Sequence, residues 1–272
     1  HEAMSLAGHL GLKNLIVFFD NNGISIDGPT SLSVSDNYKK RFESYGWSFY
    51  EINGHNEKQI NAAILKAKKL NKPVLISCKT TIGYGSPNKS GKASSHGSPL
   101  GEDEIKLVRK KLKWPHSPFE IPEKILSEWR LIGDKGAELE KDWLNQLNKS
   151  KEDIKNEFNN FNNKIFNDEL NQLIFTEKEK YFNEKPSMAT RQCSMKVISS
   201  INKLMPNIIG GSADLSGSNN TKADNSIVIN SKNFGGNYIH YGVREHGMAA
   251  AMNGLALYHN LIPYGGTFLI FS

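Results

Sequence analysis

Four places in this 272-residue sequence combine residue types and spacing that could do chemistry. In Phe19-Asp20-Asn21-Asn22-Gly23-Ile24-Ser25-Ile26-Asp27-Gly28, the Asn22 amide oxygen and the Ile24 carbonyl lie two residues apart. Magnesium takes hard oxygen ligands in an octahedron and commonly bridges to a diphosphate, and these atoms can fill two of its positions. An Asn-Gly turn accounts for the same residues equally well. His96 stands in a loop rich in Gly and Ser. An imidazole can donate from either ring nitrogen to a diphosphate or a sugar hydroxyl, although a lone loop histidine is usually just exposed. Arg191 offers a rigid fork for phosphate and Ser218 a further donor; a solvated surface charge is the plainer reading of Arg191. Glu245 is a charge entering a helix of small apolar residues. A packing role is hard to assign, because burying a charge is costly without a partner. A helix-start carboxylate helped by the dipole is its other reading.

These residues need elements to hold them. Residues 1–10 read as the tail of a helix rich in small residues, stopped by Gly11. Leu15-Ile16-Val17-Phe18-Phe19 reads as a strand buried on both faces, as in a parallel sheet, and Asp20 to Gly28 as the loop after it. A helix over Asp36–Tyr45, a strand over Trp47–Ile52, and a helix capped by Asn56 with Gln59 in a capping box follow. That helix carries Ile60, Ala63, Ile64, Ala67 and Leu70 at helical spacing. Val74-Leu75-Ile76-Ser77-Cys78 is the next strand. Such alternation implies a parallel sheet covered by helices. Residues 82–101 form a loop long enough to be functional or disordered. From Glu102 to about Pro186 the chain is charged and Asn-rich, with apolar residues at intermittent helical spacing (Trp129, Trp143, Leu144, Leu147, Phe158, Phe161, Phe166). A second α/β unit begins near Ser187, with a helix over Ser194–Leu204 and a strand over Tyr238–Tyr241. The helix Arg244–Leu257, lined with Gly and Ala, implies close packing on it. A further strand begins at Leu261–Tyr264, and on spacing alone Phe268 and Phe271 beyond it are core residues.

Taken in order, the Asn22 segment, the loop Lys79-Thr80-Thr81-Ile82-Gly83-Tyr84-Gly85-Ser86-Pro87-Asn88 with Ser95-His96-Gly97, Ala189-Thr190-Arg191-Gln192 with Gly210-Gly211-Ser212-Ala213-Asp214-Leu215-Ser216-Gly217-Ser218, Tyr241-Gly242-Val243-Arg244-Glu245-His246-Gly247, and Pro263-Tyr264-Gly265-Gly266-Thr267-Phe268 through Phe271 resemble transketolases. The resemblance implies an α/β protein of two tandem parallel-sheet units binding thiamine diphosphate, both truncated and joined by a helical connector. Residues 1–112 would be the end of the diphosphate-binding domain, 113–186 the connector and 187–272 the start of the pyrimidine-binding domain. It further implies that Asn22 and Ile24 ligate Mg2+ (or Ca2+ or Mn2+), that Ile26 presses on the thiazolium ring with Ile82 also at the cofactor, and that His96 contacts cofactor and substrate. Arg191 and Ser218 would bind the sugar phosphate, Asp214 would lie near the cofactor, and Phe271 would contact the aminopyrimidine ring with Phe268 beside it. Glu245 would hydrogen-bond N1′ of that ring and, with His96, be catalytic. Gly217 stands where the family commonly has Pro. The family's Gly-Asp-Gly, whose Asp is the remaining protein metal ligand, would precede His1.

The implied activity is reversible transfer of a two-carbon ketol unit from a ketose phosphate to an aldose phosphate, in a homodimer whose active site lies at the subunit interface. The order of the two units matches transketolases and is the reverse of that in acetolactate-synthase-like enzymes. A dihydroxyacetone synthase-like ketol transferase is the nearest enzymatic alternative, and a truncated, non-catalytic dimerising module the other. The chain opens at His1-Glu2-Ala3-Met4 and stops within an apolar run, so a fragment is expected. Hydrophobic residues at 38% fit a globular core. No apolar run is long enough to span a membrane, and no secretory pattern opens the sequence. The net charge of +6 is spread over Lys-rich faces without interleaved aromatics, which argues against nucleic acid. Cys78 and Cys193, far apart and without metal spacing, read as small buried residues in a reducing cytoplasm.

Overall fold

The computed structural model describes residues 1–163, 168–258 and 260–271, with the backbone alone described at 157 and 160–163. The chain forms two compact units, Leu12–Asn148 and His1–Gly11 with Lys149–Ser272. The first helix, α1 (Glu2–Leu10), belongs to the second of them.

In the unit Leu12–Asn148, three parallel strands lie in the order β1 (Ile16–Asn21), β5 (Val74–Lys79), β4 (Ser48–Asn53). Ile16 and Ser48 both pair with Val74, so the three strands start and end level. β5 is central, and its residues Val74 to Cys78 are all buried. Alternation sends successive side chains to opposite faces. Val74, Ile76 and Cys78 pack with Ala63 and Ala67 of α3 (Glu57–Ala67). Small alanines let that helix lie close to the strand. Asn56 caps α3, its Oδ1 accepting from the Gln59 N–H at 3.1 Å. The expected capping box is altered: Gln59 Oε1 accepts from the Asn53 N–H at 2.8 Å, tying the helix to the end of β4.

The segment read as a plain loop after β1 contains a small hairpin, β2 (Ile24–Ser25) and β3 (Gly28–Pro29). Two-residue strands carry no periodic signal, so the sequence does not announce them. α2 (Tyr38–Ser44) is capped by Asn37 and is shorter than the expected helix at both ends. α4 (Glu102–Lys111) follows the long loop, and α5 (Glu123–Lys149), α6 (Glu152–Asn163) and α7 (Asp168–Glu184) make the charged segment helical. Phe166 lies outside the described residues, as does the side chain of Phe161.

The other unit centres on the parallel order β7 (Tyr238–His240), β6 (Ile208–Ser212), β8 (Ile262–Pro263). α8 (Thr190–Leu204) precedes β6 and begins earlier than Ser194, because the Gln192 side chain accepts from the Ala189 N–H at 2.9 Å and fixes the first turn. A single helical turn, α9 (Ser216–Asn219), follows β6. Gly210 and Gly211 lack side chains because the Tyr264 and Tyr241 rings occupy that space. α10 (Glu245–Leu257) has the close neighbour its composition implies: a Cβ on Gly247 would lie 3.1 Å from the Glu2 Cβ of α1. Cys78 is buried as expected; Cys193 is only half-buried, and both are free. Among the described residues no helix is long and apolar enough to cross a membrane.

Candidate active site

Both sheets present their functional loops at the carboxyl ends of parallel strands, the ordinary ligand position in α/β proteins. After β1, the Asn22 Oδ1 accepts from the Ile24 N–H at 3.0 Å. The Thr30 N–H donates to the Gly23 carbonyl at 2.9 Å, closing the hairpin. The turn alternative is therefore real, and it also orients Asn22. Its oxygen keeps a second lone pair. Ile26, at the hairpin tip, is 73% exposed, an unusual setting for a β-branched apolar side chain. Among the described residues no group of three or more His, Cys, Asp or Glu could hold a metal. Neutral hard oxygens such as Asn22 Oδ1 and a backbone carbonyl fit a cation held largely by a diphosphate, in place of a cage of carboxylates.

The loop after β5 is anchored at its start by a residue that did not stand out in the sequence. His55, just beyond β4, accepts from the Thr81 N–H through Nε2 at 3.0 Å, and its ring stacks on Tyr84 at 4.1 Å. Ile82 follows directly. Nearby, Gly54 admits no side chain, since a Cβ there would lie 2.5 Å from the Thr80 methyl. The signal available was Asn53-Gly54-His55 after a predicted strand, the same logic that singles out His96. His96 itself is exposed at the end of a short 3-10 turn, with its N–H donating to Ala93 at 2.8 Å.

In the second unit, Glu245 occupies the first turn of α10. The free N–H of Gly247 at that helix start donates to Glu2 Oε2 at 2.7 Å. Glu2, not Glu245, therefore serves as the capping carboxylate. Arg244 donates to the Tyr241 carbonyl at 2.7 Å and to Ser5 Oγ at 3.1 Å, which braces the same turn. Among the described residues the Glu245 carboxylate has no hydrogen-bond or ion-pair partner. Asp214, next to the end of β6, sits at φ 59, a left-handed conformation rare for a residue with a Cβ. An open cavity of about 420 Å³ is lined by Asp214, Ser216, His240, Arg244 and His9. Burial and then Lys222 lower the His240 pKa, while Asp214 opposes them.

Phe268 and Phe271 are not core residues, as their spacing alone suggested. Both are exposed, with ring centroids 6.3 Å apart and planes at 24°. The short 3-10 turn Leu269–Phe271 carries them outward side by side.

Arg191 lies within the first turn of α8, not before it. A cation there opposes the helix dipole. Further along the same helix face, Asn220 Nδ2 donates to the Met195 sulfur at 3.9 Å, and Asn225 Nδ2 donates to the Ser199 carbonyl at 2.9 Å. Asn220 and Asn225 thus tie the segment after α9 to α8 at two points. One turn back from Met195 along this row is Arg191, and shortly before Asn220 is Ser218. Among the described residues no hydrogen bond joins Arg191 to Ser218. Gly217 has open space where a Cβ would point, so its departure from the family's Pro leaves no packing conflict.

A family model described as the thiamine diphosphate binding domain of transketolase matches residues 1–170. The chain belongs to the transketolase family. The transketolase pyrimidine-binding domain model matches residues 186–272. A transketolase of Sinorhizobium medicae is 42% identical over 272 residues, covering 100% of this chain and 39% of that protein. A transketolase of Buchnera aphidicola from Acyrthosiphon pisum is 46% identical over 281 residues, covering 100% of this chain and 41% of the relative. The chain therefore spans about two fifths of the length of the curated relatives it matches. Among solved structures, Campylobacter jejuni transketolase superposes with a TM-score of 0.87 at 35% identity, covering 99% of this chain and 40% of its own. A Pichia stipitis transketolase in complex with sedoheptulose-7-phosphate gives 0.83 at 35% identity, covering 99% and 41%. The α/β fold with parallel sheets is that of transketolase structures.

Proposed function

We propose that this chain contributes to a transketolase activity, the reversible transfer of a two-carbon ketol unit from a ketose phosphate to an aldose phosphate. The observation that carries the reading is the division of labour at the start of α10. Glu2 caps the helix at 2.7 Å, which leaves the Glu245 carboxylate uncommitted at a helix start. A structural carboxylate would be expected to do that capping itself.

Thiamine diphosphate, when bound, supplies the electron sink that carries the two-carbon unit between sugars. Glu245 holds a proton against N1′ of the aminopyrimidine. Phe268 and Phe271 offer their exposed faces to that ring, with Phe271 in contact. Ile26 would press on the thiazolium ring with Ile82 also at the cofactor, and Asp214 would lie near it. Asn22 Oδ1 and the Ile24 carbonyl would hold the metal, Mg2+ (or Ca2+ or Mn2+). His96 donates to the diphosphate and to a sugar hydroxyl. Arg191 and Ser218 grip the sugar phosphate, which fixes the reacting carbonyl by its far end. The Pichia stipitis complex with sedoheptulose-7-phosphate supports this substrate class.

The functional partition we assign is residues 1–112 for the diphosphate side, 113–186 for the connector and 187–272 for the pyrimidine side. The working form is a cytoplasmic homodimer in the pentose phosphate pathway, in which Asn22 of one subunit and Glu245 of the other serve one cofactor.

Ketol transfer from xylulose 5-phosphate to ribose 5-phosphate, measured on the full gene product with and without thiamine diphosphate and magnesium, tests the activity. Glu245→Gln abolishes transfer while leaving the melting temperature unchanged. Near-normal turnover in that variant would rule out the role given to Glu245.

A further inference from the structure

One buried carboxylate takes no part in the chemistry above. Glu104, in the first turn of α4, is 8% exposed. Its Oε1 accepts from Ser86 Oγ and from the Asn88 N–H at 2.9 Å. Its Oε2 accepts from Asn88 Nδ2 at 2.9 Å. Hydrogen bonds to a carboxylate favour its charged form. Ser86 first, then Asn88, hold this group down to about 2. The start of α4 adds a favourable dipole. No ion pair among the described residues involves Glu104.

From this anchor, hydrogen bonds run through the loop to His96. The Lys89 N–H donates to Ser86 Oγ at 3.0 Å. The Lys89 carbonyl accepts from Ser95 Oγ at 2.5 Å, and Lys89 Nζ donates to the Leu100 carbonyl at 3.0 Å. His96 follows Ser95 in the chain. The loop also closes on its own beginning: the Gly91 N–H donates to the Ile82 carbonyl at 2.8 Å. A Cβ on Gly83 would stand 2.7 Å from Ser95 Oγ, so that approach requires glycine.

We propose that Glu104 is a positioning residue for His96, acting through Ser86, Asn88, Lys89 and Ser95 to hold the 82–101 loop in one conformation. The proposal rests on the reading of His96 as a cofactor and sugar contact. A loop with this much glycine is entropically expensive to order. A charged acceptor forms bonds about twice as strong as a neutral one, and losing it strands buried donors. Glu104 thereby converts a flexible segment into a fixed arm.

The test uses Glu104→Gln in the full gene product with thiamine diphosphate and Mg2+. Glutamine keeps the shape but replaces one acceptor oxygen by a donor facing other donors. Amide exchange across residues 86–97 should rise at least about tenfold, with β5 and α3 unchanged. Ketol transfer should fall at least about tenfold, and H96A/E104Q should lose no more than roughly twofold beyond H96A, because both act on one group. Losses that multiply, or a loop whose exchange does not change, overturn the proposal. Full activity in H96A also overturns it, and by that separate route shows that the reading of His96 itself has failed. Should Glu104→Gln not fold, Glu104→Asp carries the same comparison; its shortened carboxylate should loosen the loop to a lesser degree, and an unloosened loop again refutes the idea.

Discussion

The Glu2 carboxylate meets the backbone N–H of Gly247 at 2.7 Å, across a sequence separation of 245 residues. A helix start that a local residue usually satisfies is here completed by another helix. Replacing Glu2 with Ala should therefore lower stability by about 1–2 kcal/mol, the usual loss of a cap. The variant should also lose ketol transfer, because Glu245 would then be free to turn back and serve the helix. Thermal unfolding and the transfer assay together check this. Unchanged stability would mean that water replaces the cap without loss.

Arg191 gives a prediction in which stability and function move in opposite directions. Its charge sits in the first turn of α8, where the dipole disfavours a cation. Arg191→Ala should leave the protein as stable or more stable, by up to about 1 kcal/mol. The KM for the sugar phosphate should rise at least about tenfold, as expected for a lost charge-assisted contact. A parallel loss of stability would show that the residue is structural.

Asp214 is held at φ 59. Such a conformation stores on the order of 1–3 kcal/mol in a residue with a Cβ. Asp214→Gly relieves that strain, partly offset by a more flexible unfolded chain. The variant should melt no lower than the parent yet transfer at least about tenfold more slowly, if the carboxylate lies near the cofactor. Calorimetry beside the activity assay separates the two effects.

Two tyrosines set an alkaline limit. Burial raises Tyr241 to about 12. Burial, and secondarily Tyr238, raise Tyr264 to about 12. Both are acids whose folded values exceed their unfolded value near 10. Their contribution is therefore fully present below pH 10 and is lost as pH rises through 10 to 12. Stability should fall over that window, and tyrosinate absorbance should appear together with unfolding. Tyr264→Phe should blunt the effect while removing the hydrogen bond from its hydroxyl to the Thr221 carbonyl at 2.8 Å, at a loss of about 1 kcal/mol.

The five consecutive apolar or small residues Val74–Cys78 make the central strand legible, buried on both faces. The similar run Leu15–Phe19 instead forms the outer strand β1, which is only part-buried with Phe18 48% exposed, because burial there depends on neighbours the run does not encode. The sequence also places Asn22 directly after a strand, His96 within the long loop that follows another, and Glu245 at a helix start, since each follows or opens a periodic element. What it hides is whatever depends on distant partners. Glu2 and Glu104 look like ordinary surface acids until the backbone donors they serve are seen. The β2–β3 hairpin and α9 are too short to have a period, and α8 gains a turn from one glutamine side chain. Phe268 and Phe271 have the spacing of core residues, yet a 3-10 turn carries both outward.

Three segments leave the same edge of one sheet: the Asn22 hairpin after β1, His55 after β4 and the His96 arm after β5. All are levelled by Val74, which pairs with both Ile16 and Ser48. The middle strand is therefore the common datum from which these segments are measured. An insertion just before His55 would reach one neighbour as well, because His55 anchors the start of the loop after β5. A single residue added within Val74–Lys79 would reverse the strand's faces and throw all three out of alignment together.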